Sequence, residues 1–303
     1  MLIDAAPILL LDGSTGHELK QRLSVLGTDA DTFDTAMQAN SEQPDLVTAV
    51  HADYIAAGCN VITTNSFTLT PAALSAANRA AELPALLHAA CRCASAAAAT
   101  ASGGRHVLVA GCLPPLNHCY LPELVPDEAE MRAQYGSIVR ELAPRVDLFL
   151  AETLCCAAEA RAALQAAAPS GKMCWLSLTL HDDVAAVGPP TLRGGESIPA
   201  VLDALSSSSL LPSALLYNCC APSVVARALR TQPALPPVVQ RFGACEQRGA
   251  TLERSRPKTA FTLNFALGSR SLSRARALSL SLSRARTLFL SVSLSLSLSV
   301  CGA

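Results

Sequence analysis

Seven short apolar runs recur along the first 242 residues, at 8–11, 61–64, 107–110, 148–151, 175–180, 214–217 and 238–242. Most lack polar alternation, as strands covered on both faces do. Helical patterns lie between them. Val47, Val50, Tyr54 and Ile55 share one helix face, and Gly58 is placed to end that helix. An Ala-rich stretch, 72–101, reads as helical with a break near Pro84, and 131–142, 157–167 and 223–229 are further helices. Strand alternating with helix builds right-handed βαβ units and a parallel sheet. Seven such strands favour an α/β fold of the (β/α)8 TIM-barrel type over an open doubly wound sheet. No Gly-x-Gly-x-x-Gly follows the first run, which removes the dinucleotide-binding alternative. An eighth strand is expected after residue 250. Only 261–267 has the composition for it, so the barrel is expected to be incomplete at its eighth unit.

The charge pattern supplies a boundary. Residues 1–244 carry 14 Lys and Arg against 22 Asp and Glu; residues 245–303 carry 9 against 2. A sign reversal of this kind marks a change of composition. From Ser271 the chain is low in complexity. Ser-Leu-Ser-Arg-Ala-Arg occurs at 271–276 and 281–286, and Ser and Leu then alternate to Ser299. Two units are therefore expected: a folded domain over 1–244, and a basic Ser/Leu/Arg tail over 245–303 that is disordered or a product of gene misprediction.

Overall composition limits the function classes. Half of the 303 residues are apolar, and the formal net charge is -1. That balance argues against nucleic acid as a partner, and aromatics for stacking on bases are scarce. No run of about 18 apolar residues suggests a membrane span. Residues 1–7 lack the basic start of a secretory signal, and the apolar stretch after them is short. A reducing, cytoplasmic setting is expected. There the 12 cysteines would serve packing, metal binding or chemistry rather than disulfides.

Polar residues at the C-terminal ends of barrel strands line the site face. In order these are Asp12-Gly13, Thr64-Asn65, Gly111-Cys112, Glu152-Thr153, Thr179 and Asn218-Cys219. A simple turn residue before Gly13 is the lesser alternative for Asp12, and a charge at a helix start the lesser one for Glu152. Asn65 and Asn218 fit either substrate binding or the bracing of strand ends. His17 and His51 fall in helical contexts and read as structural. His118 and Cys119 fall in a loop over the mouth.

Several segments carry a more specific signal. Leu11-Asp-Gly-Ser-Thr-Gly-His-Glu-Leu19 opens the series. His51-Ala-Asp-Tyr-Ile-Ala-Ala-Gly-Cys-Asn-Val-Ile-Thr-Thr-Asn-Ser-Phe67 follows, then Gly111-Cys-Leu-Pro-Pro115, then Ala151-Glu-Thr-Leu154 with Glu159-Ala160. Tyr217-Asn-Cys-Cys-Ala-Pro222 and Arg241-Phe-Gly-Ala244 complete it. In this order, across residues 8 to about 244, they resemble the homocysteine S-methyltransferase family. The resemblance implies transfer of a methyl group from a sulfonium donor, S-methylmethionine or S-adenosylmethionine, to homocysteine, giving methionine. The partners would be those two small molecules. Asp12, Gly13, Asn65, Glu152 and Asn218 would bind substrate, with the two carboxylates suited to an amino group.

The resemblance also implies Zn²⁺. A thiol titrates near 8.5, and binding to zinc converts it to the reactive thiolate. The family holds the metal with one cysteine in the Asn-Cys motif and two in a later Gly-Gly-Cys-Cys. Cys219 fits the first position. Cys220 would point the other way from a strand and reads as structural. No Gly-Gly-Cys-Cys occurs after Cys220, so the chain reads as truncated before that motif. Cys245 comes too early and Cys301 lies in the repeat tail. Cys155-Cys156 follows the fourth strand, away from the family's ligand positions. Cys91 and Cys93 would face different sides of a helix. The alternative to an active enzyme is therefore an inactive, truncated paralogue or a mispredicted gene product lacking two ligands.

Overall fold

The computed structural model describes residues 8–25, 33–183, 185–231, 241–244 and 266–269. Eight strands form one sheet: β1 (Ile8–Leu10), β2 (Val61–Thr63), β3 (Leu108–Leu113), β4 (Leu148–Leu154), β5 (Cys174–Leu178), β6 (Ala214–Tyr217), β7 (Arg241–Ala244) and β8 (Ala266–Ser269). Their order is β1-β8-β7-β6-β5-β4-β3-β2, and β2 to β7 pair in parallel. Leu11 bridges Val61, the Asp12 amide donates to the Val61 carbonyl at 3.0 Å, and the Asn60 amide donates to the Leu10 carbonyl at 2.8 Å. The order thus returns to its own start.

The eighth strand departs from the expected pattern. Of the expected 261–267, residues 261–265 lie outside the described residues. The strand found is Ala266–Ser269, and it runs antiparallel to both β1 and β7. It pairs Ala266 with Leu10 and Ser269 with Arg241. These four residues belong to the stretch expected as tail. The first seven expected strands are recovered within a few residues, although 238–240 are outside the described set.

Nine helices are described: α1 (Thr15–Val25), α2 (Phe33–Glu42), α3 (Pro44–Ala56), α4 (Pro71–Ala76), α5 (Leu83–Ala101), α6 (Glu128–Leu142), α7 (Ala157–Ala167), α8 (Ile198–Ser207) and α9 (Pro222–Arg230). Gly58 follows α3 with φ +111°, a conformation that L side chains rarely adopt. The Ala-rich stretch breaks before Pro84 rather than at it. Asn78 turns with φ 57°, a 3-10 turn spans Ala80–Glu82, and Pro84 lies in the first turn of α5. There the missing N–H has no helical partner to lose. The Thr70 hydroxyl caps α4 at the Ala73 amide, 3.1 Å, and Ser197 caps α8 at Ala200, 3.3 Å. No helix among the described residues is long and apolar enough to cross a membrane.

Period-two alternation divides the strand side chains between two cores. Leu9, Leu11, Val61, Leu108, Ala110, Leu148, Leu150, Trp175, Ala214 and Leu216 pack together inside the ring. Ile62, Val109, Phe149, Ala151, Leu176, Leu215 and Tyr217, one residue out of phase, pack against the helices. Both faces are apolar, which explains the lack of polar alternation in the sequence. Continuing each inward series by two residues reaches Thr63, Cys112, Glu152, Ser177 and Asn218. The ring is therefore apolar through its interior layers and polar at one mouth.

Candidate active site

Asp12 sits where β1 ends. Its carboxylate accepts from the Thr63 amide at 2.7 Å and the Thr63 hydroxyl at 3.0 Å. Burial pushes its pKa up to about 8, the Thr63 hydrogen bonds oppose this, and the charge of Glu152 adds to it. Glu152 projects from β4, and burial raises it as well. The Cys112 thiol donates to Glu152 at 3.1 Å, and the Cys112 amide donates to the Thr64 hydroxyl at 3.2 Å. Burial and the Glu152 carboxylate hold Cys112 well above the ordinary thiol range. Among the described residues, no Lys, Arg or His forms an ion pair with Asp12 or Glu152.

Asn218 ties three strands together. Its Oδ1 accepts from the Thr153 amide at 3.0 Å and the Ser177 hydroxyl at 2.7 Å. Its Nδ2 donates to Thr153 Oγ1 at 2.8 Å and Cys219 Sγ at 3.3 Å. All four of its hydrogen-bonding positions are thereby taken by protein groups. Thr153 also donates its hydroxyl to Cys219 Sγ at 3.6 Å. Thr153 and Cys219 both have positive φ, 63° and 55°. Non-glycine residues at such angles cost about 1–3 kcal/mol and concentrate at functional sites. Burial raises the Cys219 thiol, and the Thr153 hydroxyl acts in the opposite direction.

A loop after β5 closes against this group. Arg193 Nε donates to the Thr179 hydroxyl at 3.2 Å, and its Nη2 donates to the Cys219 carbonyl at 3.3 Å and Asp182 at 2.6 Å. The guanidinium stacks 4.4 Å above the Tyr120 ring. Asp182 also accepts from the Ala221 amide at 2.6 Å, so it holds the turn after Cys219. Cys119 lies within electrostatic reach of Cys219, Glu152 and Glu159, and burial pushes its thiol up to about 12.

The remaining expected residues divide between the mouth and the scaffold. Gly13 lies in the short link between Asp12 and α1. Asn65 donates to Asn40 Oδ1 at 3.1 Å, and Asn40 Nδ2 donates to the Asn65 carbonyl at 2.7 Å, so Asn65 is tied to α2. Cys220 is buried in the helix-facing core, with its thiol raised to about 12 by burial. His51 is fully buried in α3. Neither of its ring nitrogens has a hydrogen-bond partner among the described residues, and burial lowers it to about 4. Ser177, Tyr120, Asp182 and Arg193 join the site beyond the residues expected from the sequence. Ser177 was readable as the inward partner of Trp175. The other three arrive from loops and leave no periodic signal.

The donor set at Cys219 does not by itself fit a zinc ion. Among the described residues, the thiols and carboxylates close enough to share a metal are Cys155, Cys156 and Glu159, without Cys219. Cys245 and Cys301 lie outside the described residues. One thiolate does not hold zinc, which takes three protein ligands even in open sites.

A returning order of strands with thiols, amides and carboxylates at one mouth defines an α/β scaffold of the barrel-enzyme class. The family model for homocysteine S-methyltransferase matches residues 9–257, and the chain belongs to that family. The match runs past residue 244, where the motifs break off. The chain is similar to the Escherichia coli homocysteine methyltransferase MmuM. For the metallated form the identity is 26%, with 82% of this chain and 86% of that chain covered and a TM-score of 0.68. For the oxidized form the values are 26%, 82%, 85% and 0.69. No curated protein sequence matches the chain.

Proposed function

We propose that this chain binds homocysteine at the mouth formed by Asp12, Glu152 and Cys219 and methylates its sulfur from a sulfonium donor, S-methylmethionine or S-adenosylmethionine. One observation carries the reading. Two carboxylates, one buried and one half-buried, lie within electrostatic reach of each other, with no cation paired to either among the described residues. Such a pair is costly when empty and is relieved by an ammonium group. The amino group of homocysteine supplies that charge.

In the transfer, a lone pair on the homocysteine sulfur forms the new bond to the methyl carbon. The donor's sulfonium–methyl bond breaks, its electrons remain on the donor sulfur, and the proton of the homocysteine thiol passes to solvent. Cys219 stands at the position of the family's first zinc thiolate. A single thiolate at that position does not hold the metal. Gly13 and Asn65 would complete the substrate wall. Asn218 would hold Thr153 and Cys219 in place. The partners in this reading are small molecules, and a reducing compartment such as the cytoplasm suits its free thiols.

Equilibrium dialysis with labelled homocysteine tests the reading. Asp12→Asn and Glu152→Gln should each weaken binding about tenfold or more, since a charge-assisted hydrogen bond is worth roughly 1.5–3 kcal/mol. Wild-type binding in both variants would overturn it.

A further inference from the structure

A second group of thiols, which does not include Cys219, follows β4. β4 ends at Leu154, and α7 begins at Ala157. Cys155 and Cys156 fill the gap, and Glu159 stands in the first turn of the helix. The two sulfur atoms and a Glu159 carboxylate oxygen all lie within 4.8 Å of one another. Glu159 Oε2 accepts from the Cys155 amide at 2.8 Å, the Cys155 thiol at 3.0 Å and the Cys156 thiol at 4.0 Å.

Adjacent residues on a strand would point to opposite faces. Here the chain has left the strand, and Cys156 takes the N-cap position with φ -152° and ψ 165°. The turn into α7 therefore brings both sulfurs to one carboxylate. A helix-start glutamate reaching back to a preceding amide accounts for the 2.8 Å bond alone. It does not account for two thiols converging on the same oxygen.

From this convergence we propose that Cys155, Cys156 and Glu159 form a binding site for a zinc-group divalent cation, separate from Cys219. The ligand chemistry selects the metal. Thiolates favour zinc and cadmium over magnesium or calcium, which prefer all-oxygen sites. Zinc ligands at about 2.0–2.3 Å and tetrahedral angles lie roughly 3.5–3.8 Å apart. The three ligand atoms, within 4.8 Å of one another, stand near that spacing. On binding, two sulfur–metal bonds and one oxygen–metal bond form. The two thiol protons leave to solvent, and both thiol–Glu159 hydrogen bonds are given up. Cys155 and Glu159 are buried, whereas Cys156 is half-buried and is the open side.

The surrounding chain holds this shape. The Gly194 amide donates to the Cys155 carbonyl at 3.0 Å, and a Cβ at Gly194 would come within 3.2 Å of Cys156 Cβ. Glu196 accepts from the Ala157 amide at 2.9 Å, so the first turn of α7 is fixed from outside. A preset backbone leaves only side-chain torsions to be ordered on binding.

The test is a cadmium titration of the full, reduced, metal-free chain without homocysteine, read by thiolate-to-metal charge-transfer absorbance. Zinc competition against a chromophoric chelator gives the affinity. Wild type and Cys219→Ser should each bind one equivalent. Cys156→Ser and Glu159→Gln should each lose at least about tenfold in affinity, a loss that even outer-shell changes can bring. Unchanged affinity in both Cys156→Ser and Glu159→Gln overturns the proposal. So does loss of the signal in Cys219→Ser with retention in Cys156→Ser. Because no homocysteine is present, either result is distinct from failure of the methyl-transfer reading.

Discussion

Asp12 makes ligand binding pH-dependent in a calculable way. Its carboxyl is raised from 3.8 to about 8, with burial as the first cause. At pH 7 only about one-tenth of the empty protein then carries the carboxylate. An ammonium ligand binds the ionised form, so a proton must leave as it enters. Apparent affinity should rise nearly tenfold from pH 6 to 7, roughly 1.4 kcal/mol, about fivefold more from 7 to 8, and then level. Methionine is the best probe, because it carries the ammonium but no acidic thiol. Calorimetry in buffers of different ionisation enthalpy should report close to one proton released at pH 6.5. In Asp12→Asn both the slope and the release should vanish. Equal affinity at pH 6 and 8 with no proton release would refute the reasoning, as would the same slope in Asp12→Asn. The stability linkage has a definite sign. The folded state holds a proton that the unfolded state has lost between pH 3.8 and about 8, so the contribution of Asp12 is present at low pH and is lost as pH rises through 8. The ceiling on that loss is on the order of 6 kcal/mol.

Three further outcomes follow from the packing. Asn218→Ala leaves the Thr153 amide and the Ser177 hydroxyl without their partner, and should cost roughly 2–5 kcal/mol in urea unfolding; a loss under about 1 kcal/mol would contradict the brace. Gly111→Ala places a Cβ 3.2 Å from Phe149 and Val146 and 3.3 Å from Leu142, and should cost about 1–3 kcal/mol by the same measurement. His51 is lowered to about 4 from 6.5 by burial, so its contribution is present above pH 6.5 and is lost as pH falls toward 4. His51→Leu should remove that part of the acid sensitivity, up to about 3 kcal/mol, and an unchanged acid limb would count against it.

The central strands were legible because β2 to β6 are apolar on both faces through most of their length. Residues 214–217 match β6, and the other runs differ from the described strands by a few residues at their ends. The mouth was legible for a related reason: Asp12, Glu152 and Asn218 each follow an apolar run directly. Their bonding was not. Whether Asn218 faces a ligand or ties Thr153 to Ser177 depends on the register between β4, β5 and β6, which is a tertiary property. Arg193 and Tyr120 meet through two loops more than seventy residues apart in sequence, and neither has a local pattern. The direction of β8 was equally invisible, because the four residues Ala-Leu-Gly-Ser carry no signal for strand direction. The convergence of Cys155 and Cys156 on Glu159 depends on a turn geometry that strand alternation would have argued against.

The most direct test of the account is transfer of a labelled methyl group. The purified chain is incubated with homocysteine and methyl-labelled S-methylmethionine or S-adenosylmethionine, and methionine is analysed by mass spectrometry. The account predicts label in methionine above the protein-free rate, strongly lowered in Asp12→Asn and in Glu152→Gln. Background labelling with the wild-type chain, or labelling undiminished by both substitutions, would contradict it.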